Sequence, residues 1–373
     1  MGFRGLLRTL LLSLPMLALS AYLLTRGVIP PDWPHRAALL LVFFFFNAAF
    51  IAMIHTGKTD RWRAPLFIAI SGLFAVSFMG NMLELNSRQG EFVDFIFRDS
   101  VPMCPVVIPM MLIPAAVGKT IIWPGAVAGT YAAAGLMFVI WLAASLGLGK
   151  AWCGWGCFFG GLDDAFSRLL PRALLGTPGW LRALPYAVLI VFALLTAASM
   201  MPAYCGLLCP VKAATELPPG DFVSDKLMLW VHLGMFGAFT AALPILTKRR
   251  VQCAFICPLG ALQNGMDRLA PFKMRVDAAR CTACGACAKN CPVLAIKPGT
   301  ATPGSACVKC GRCADNCPAG AISFSVKGAV HSPGSGRLLF LYPAFLFMTG
   351  FGGGICVDAV ARLITFGLTG RLF

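Results

Sequence analysis

Long apolar stretches recur along this chain, separated by short polar segments. A helix needs about 20 apolar residues to cross a hydrocarbon core about 30 Å thick. Stretches near that length predict seven membrane helices, at Thr9–Leu24, Ala37–Ile54, Pro65–Met82, Gly125–Gly149, Leu184–Met201, Leu227–Leu246 and Leu338–Cys356. A further apolar stretch, Val101–Val117, contains four prolines, and we interpret it as a loop or re-entrant segment.

Composition supports a membrane protein. Of the 373 residues, 58% are hydrophobic and only 12% charged, and the mean hydropathy is +0.78. These values exclude an ordinary soluble protein. Arg4 and Arg8 precede the first apolar stretch, which we interpret as an uncleaved anchor rather than a signal peptide.

The formal charge is +16, from 31 Lys and Arg against 15 Asp and Glu. With the N-terminus inside, most of the basic residues fall on the inner side of the predicted helices, as they do in bacterial inner-membrane proteins. The excess is therefore a topology signal, and no basic run is interleaved with aromatic residues as nucleic-acid binding would require. We expect membrane lipid, and no nucleic acid, as a partner.

Two cysteine motifs lie between the sixth and seventh predicted helices. Each reads C-x2-C-x2-C-x3-C-P, the bacterial pattern for two [4Fe-4S] clusters, in which the fourth cysteine of each motif binds the other cluster. Zinc sites more often offer two C-x2-C pairs, and a reducing cytoplasm disfavours disulfides. The predicted ligands are Cys281, Cys284, Cys287, Cys291, Cys307, Cys310, Cys313 and Cys317.

Glycines and prolines indicate a compact, loop-rich domain around these motifs. Gly285 and Gly311 relax the backbone beside the cysteines, and Pro298 and Pro303 mark loops. The fold class we expect is a polytopic α-helical membrane protein, with about seven helices and an internal duplication. A two-cluster bacterial ferredoxin domain of α+β type is inserted in it, on the cytoplasmic side.

The duplication is visible upstream. Ala151–Pro171 aligns with Val251–Pro271 at an offset of 100 residues, and each copy carries a C-x3-C pair after a predicted helix. Such repeats bring equivalent sites together in other membrane proteins. The expected domains are a helical hairpin (1–64), two membrane repeats (65–171 and 172–271), the ferredoxin domain (272–336), and a C-terminal helix with its tail (337–373).

The remaining eight of the 16 cysteines form two groups of four. The inner group could ligate another metal centre or simply pack at helix ends, because cysteine is a small, readily buried residue. The outer group could bind metal or form disulfides, because that compartment is oxidising. The inner group is Cys153, Cys157, Cys253 and Cys257, and the outer group is Cys104, Cys205, Cys209 and Cys356.

The C-x3-C pairs after membrane helices, the segment CPLGALQ at Cys257–Gln263, and the double ferredoxin motif resemble the NosR/NapH/CcoG-type family of membrane-bound polyferredoxins. The resemblance covers roughly Pro65–Val326. It implies electron transfer between the quinone pool or cytoplasmic reductants and periplasmic redox enzymes, or support of metalloenzyme assembly.

These patterns predict an electron-transfer subunit of an oxidoreductase complex. It would hold two [4Fe-4S] clusters, with one or two further iron-sulfur clusters in the membrane part. A soluble carrier or partner subunit would be its redox partner, with a quinone as another candidate. The alternative is a copper reductase or metalloenzyme assembly factor, whose cysteine pairs bind metal transiently.

Overall fold

The computed structural model describes residues 3–87, 106, 108–119, 125–127, 130–132, 134–200, 203–209, 223–297, 303–329 and 333–370. Helices and strands follow in chain order as α1 (Phe3–Thr25), α2 (Trp33–Thr56), α3 (Thr59–Ser87), α4 (Ile108–Gly118), β1 (Gly125–Val127), β2 (Thr130–Ala132), α5 (Ala134–Leu148), α6 (Trp152–Trp155), α7 (Phe158–Phe166), α8 (Leu184–Ser199), α9 (Ala203–Leu207), α10 (Val223–Met235), α11 (Leu243–Thr247), α12 (Pro258–Met266), β3 (Phe272–Val276), α13 (Ala286–Asn290), α14 (Arg312–Asp315), β4 (Ile322–Val326) and α15 (Pro333–Thr369).

Several helices are long and apolar enough to cross a membrane. Among the described residues, five stretches qualify: Gly5–Thr25, Trp33–Thr56, Phe138–Trp155, Trp230–Thr247 and Gly334–Thr369. The expected span at Leu184–Met201 is the 16-residue α8, which is about 24 Å long and too short for a hydrocarbon core of about 30 Å.

One expectation from an apolar run is wrong in detail, and a second apolar run is partly helical. The run Gly125–Gly149 does not begin as a helix, because β1 and β2 pair antiparallel and α5 begins only at Ala134. Glycine is a poor helix former, and Thr130 and Tyr131 favour strands. In the proline-rich run Val101–Val117, the described part forms the helix α4, which includes Pro114.

The described chain divides into two compact units. The first comprises Met1–Ser77, Ala144–Gly161 and Asp267–Phe373, and the second comprises Phe78–Ala143 and Leu162–Met266. Three of the unit boundaries fall within α3, α5 and α7, and the five-part division expected from the sequence remains a prediction.

In the first unit, α1, α2 and α15 pack together. Asp32 caps α2 by accepting a hydrogen bond from the His35 backbone N–H, and Gly57 ends the helix in the left-handed conformation. Phe50 of α2 packs on Phe345 of α15 with ring centroids 4.7 Å apart. Of these helices, α15 also packs on β4 of the cysteine-rich segment.

The cysteine-rich segment folds around one small sheet. Strands β3 and β4 pair antiparallel, with Phe272 opposite Val326. Phe324 of β4 stacks on Phe340 of α15 at 4.7 Å, and the Trp155 ring of α6 meets the same Phe340 edge-on at 5.5 Å. Aromatic contacts therefore tie the sheet to α15 and α6.

In the second unit, α8 packs on α4 and α12. The Asn264 side chain of α12 donates a hydrogen bond to the Tyr186 hydroxyl of α8 at 2.9 Å. The backbone N–H of Leu174 donates to the Leu246 carbonyl at 2.8 Å, which ties the loop before α8 to α11.

Candidate iron-sulfur sites

The eight ferredoxin cysteines line two separate cavities. The first cavity is lined by three cysteines of the first motif and the last cysteine of the second motif. The second cavity has the reciprocal composition. We call Cys281, Cys284, Cys287 and Cys317 the exposed set, and Cys307, Cys310, Cys313 and Cys291 the buried set. This exchange of the fourth cysteine is the arrangement expected for two [4Fe-4S] clusters.

The two motifs share an unusual backbone. Left-handed φ angles occur at three equivalent positions, which turn each loop tightly enough for its thiols to face one cavity. Glycine occupies both members of only one of these pairs. The pairs are Ala283 with Lys309, Leu294 with Gly320, and Gly285 with Gly311.

Backbone N–H groups are directed at the exchanged cysteines. Ala295 donates to the Cys291 sulfur at 3.2 Å, and Ala321 donates to the Cys317 sulfur at 3.3 Å. Such bonds stabilise negative charge on cluster thiolates and tune the reduction potential. The donor set, its two cavities and these bonds fit two [4Fe-4S] clusters.

The two sets differ in exposure. Cys284 is exposed, whereas Cys310 and Cys313 are buried. The Ala286 backbone N–H lowers the pKa of the Cys284 thiol, whereas burial raises the pKa of Cys313 well above its ordinary value. Iron binding displaces the thiol proton, and Cys284 loses its proton more readily than Cys313.

The buried set lies against the first C-x3-C pair. A Cβ atom added to Gly154, which lies between Cys153 and Cys157, would come 2.3 Å from the Val308 carbonyl oxygen. The neighbouring Trp155 indole N–H donates to the Lys309 carbonyl at 3.1 Å. Val308 and Lys309 separate two cysteines of the buried set. The backbone of the first C-x3-C pair therefore lies against the backbone of the second ferredoxin motif.

Each of three C-x3-C segments is closed by the same hydrogen bond. The backbone N–H of the second cysteine donates to the carbonyl of the residue before the first cysteine. The three bonds are Cys157 to Trp152 at 3.1 Å, Cys209 to Tyr204 at 2.9 Å, and Cys257 to Gln252 at 2.9 Å. Sequence reasoning aligned only the first and third segments, although C-x3-C-P at Cys205–Pro210 and Cys253–Pro258 was the available signal.

In the second unit, the second and third pairs lie together. The Gln252 side-chain amide donates to the Tyr204 hydroxyl at 2.8 Å. Burial raises the pKa of Tyr204 well above its ordinary value, and Cys257, Cys209 and Cys205 raise it further because they lie close to the phenol.

The sequence assigned Cys205 and Cys209 to the outer group and Cys257 to the inner group. The contact between Tyr204 and Gln252 brings these two C-x3-C pairs together, and the side of the membrane on which they lie stays a prediction.

Charged groups surround Cys253. Its backbone N–H donates to Asp163 at 2.9 Å, and the Arg250 guanidinium donates to its sulfur at 3.4 Å. Burial raises the pKa of Asp163 to about 7, against the opposing effect of Arg250. The neighbouring Asp164 instead pairs with Arg168 at 3.2 Å.

The predicted inner and outer groupings otherwise stay predictions. Cys104 lies outside the described residues, and Cys356 is fully buried in α15. Among described residues, no three His, Cys, Asp or Glu side chains converge on a single ion. The thiolates of a cubane bind different iron atoms and are spread more widely.

Comparison with known proteins identifies both kinds of cysteine segment. A family model described as a 4Fe-4S binding domain matches residues 130–178, 182–224 and 229–277, each of which contains one C-x3-C pair. A second model with the same description matches residues 274–297 and 305–323. No solved structure matches the chain.

Two curated relatives are similar over part of their length. "Putative electron transport protein YccM" of Escherichia coli (strain K12) is 33% identical over 183 residues, which is 45% of this chain and 48% of YccM. "Regulatory protein NosR" of Pseudomonas aeruginosa (strain PAO1) is 30% identical over 179 residues, which is 44% of this chain and 23% of NosR. The match therefore covers less than half of either relative. Its apolar helices, its matches to 4Fe-4S binding domains and its two relatives make this chain similar to the NosR-type family of membrane-bound polyferredoxins.

Proposed function

We propose that this chain passes single electrons between a carrier that docks at the exposed set and a redox partner in or across the membrane. A [4Fe-4S] cluster supplies one-electron transfer when bound. The observation that carries the proposal is the contact between Val308 and Gly154. It connects the solvent-facing ferredoxin segment, through the buried set, to a cysteine pair at the end of an apolar helix.

The surface around the exposed set is basic, which supports the proposal that the carrier is an acidic protein. Arg275, Arg280, Lys289 and Lys297 are exposed there, and Lys297 lines the same cavity as Cys281. Basic residues around a redox site attract an acidic partner and raise the rate of encounter. The same basic excess supports a cytoplasmic location for this segment.

The membrane cysteines are candidates for one or two additional iron-sulfur sites. Cys153 and Cys157 lie next to the buried set. The Tyr204–Gln252 contact supports a shared site for Cys205, Cys209, Cys253 and Cys257. Such sites would extend the electron path into the helices.

Iron and acid-labile sulfide per chain, measured after anaerobic purification together with EPR of the reduced protein, test the proposal. We expect at least about 8 iron, the content of two [4Fe-4S] clusters. Additional iron that is lost in Cys153→Ser or in Cys205→Ser would establish the membrane sites, and Cys356→Ser tests whether that cysteine takes part. Less than one [4Fe-4S] cluster per chain, or stoichiometric copper in place of iron, would refute electron transfer by this route.

A further inference from the structure

The two ferredoxin motifs differ at one equivalent position in a way that their shared backbone does not require. Ala283 and Lys309 have almost the same left-handed conformation, with φ of 52° and 51°. Ala283 is exposed, whereas Lys309 is only 1% exposed. Burying a cation costs free energy unless it is paired, so a lysine here needs a specific partner.

Asp267 is that partner. Its carboxylate pairs with the Lys309 ammonium, and with Lys273 at 3.0 Å. It also accepts the Lys150 backbone N–H at 3.0 Å, while the Lys309 ammonium donates to the Leu148 carbonyl at 3.0 Å. Asp267 is therefore shared between two ammonium groups, those of Lys309 and Lys273.

The charge of Lys309 acts on the buried set. It lies in the loop between Cys307 and Cys310, two cysteines of the buried set, and its side chain is itself buried. Ala283 gives the exposed set no corresponding charge. Buried charges are screened by salt much less than exposed ones.

We propose that Lys309, held by Asp267, makes the buried set the more easily reduced of the two cluster sites. Reduction adds one electron to an anionic cluster, and a nearby cation stabilises the reduced form more than the oxidised form. With clusters bound, one electron given up at the exposed set would be taken up at the buried set. This inference rests on the proposed function. In it, Lys309 changes the reduction potential of the buried set through its charge and does not itself bind iron.

The test is an EPR-monitored redox titration of the full chain in the wild type and in two variants that change the local charge in opposite directions. Lys309→Met removes one positive charge, and Asp267→Asn removes one negative charge while keeping an acceptor for Lys150. We expect Lys309→Met to lower the midpoint potential of the buried set, with about a tenfold change in its reduction equilibrium, which is about 59 mV for one electron. Asp267→Asn should raise that potential, and neither variant should move the exposed set.

Lys327→Met is the matched control, because Lys327 is exposed at the end of β4, and it should leave both potentials unchanged. Shifts of the same sign in the two variants, or no shift in either, would overturn the inference and point to a packing role alone. If Lys309→Met fails to assemble clusters, the sign of the Asp267→Asn shift decides. A wild type without two reducible clusters would instead refute the proposed function.

Discussion

At the scale of single residues, two equivalent glycines of the ferredoxin loops serve different purposes. Gly285 and Gly311 are equivalent and both left-handed, with φ of 70° and 84°. A Cβ on Gly285 would meet nothing within 4 Å, whereas one on Gly311 would lie 2.9 Å from the Thr59 Cβ. The first glycine serves only the backbone turn, and the second also allows the buried set to approach the start of α3.

This difference predicts unequal effects of alanine. Gly285→Ala should lower the free energy of unfolding by about 1–2 kcal/mol, because alanine is strained in the left-handed conformation. Gly311→Ala should lower it by about 1–3 kcal/mol more, because the added methyl group overpacks against Thr59. Thermal unfolding of the purified holoprotein measures both. Equal losses would show that the Thr59 contact has no energetic role.

At the scale of elements, the short helix α6 is held between the ferredoxin loop and α15. Trp152 packs on Phe347 with ring centroids 4.7 Å apart, and the Gly154 backbone touches Val308. The buried guanidinium of Arg63 also donates to the Gly154 carbonyl at 2.7 Å. Contacts on several sides leave no room for a side chain at Gly154.

We therefore expect Gly154→Ala to loosen the contact between α6 and the buried set. Overpacking at Gly154 should lower the free energy of unfolding by about 1–3 kcal/mol. It should also increase the rate of hydrogen exchange in the segment around Val308. Gly147→Ala is the matched control, because a Cβ there meets nothing within 4 Å, and alanine should stabilise α5 by up to about 1 kcal/mol. Unchanged exchange in Gly154→Ala would contradict the contact on which the electron path depends.

The exchange of the fourth cysteine between the two ferredoxin motifs is also a property of elements, because it depends on how the two loops pack together. Cys317→Ser should alter the same EPR signal as Cys284→Ser, and Cys291→Ser the same signal as Cys310→Ser, because each cavity takes its last cysteine from the other motif. EPR spectra of the four variants, reduced under identical conditions, make the comparison. If Cys317→Ser instead changed the signal lost in Cys310→Ser, each motif would bind its own cluster.

At the scale of the whole molecule, the exposed cations Lys289 and Lys297 lie in the segment where the proposed carrier docks. If exposed cations attract an acidic carrier, Lys289→Glu combined with Lys297→Glu should slow electron transfer from it about tenfold at low salt. Salt should diminish the difference. Stopped-flow reduction kinetics at several salt concentrations test this.

Arg172→Glu, an exposed substitution in the second unit, is the control and should have little effect on the reduction rate. A rate in the double variant that equals the wild-type rate at low salt would argue against charge-guided docking at the exposed set.

The sequence alone could predict those features of this protein that depend on the spacing of residues close together in the chain. The ferredoxin motifs place three cysteines within a few residues, so short loops suffice to direct them into one cavity, and their roles were readable without a structure. Apolar runs likewise indicated helices, because helix formation and burial in lipid depend on neighbouring residues.

The tertiary structure decided what depends on distant residues. Hydropathy shows that a run is apolar, but not where it bends or which run it meets, so neither the β1–β2 hairpin nor the contact between Tyr204 and Gln252 was predictable. The same holds for Lys309, which in sequence is one more basic residue. Only the folded chain brings Asp267, 42 residues away, beside it, because long-range packing sets which charges are excluded from water.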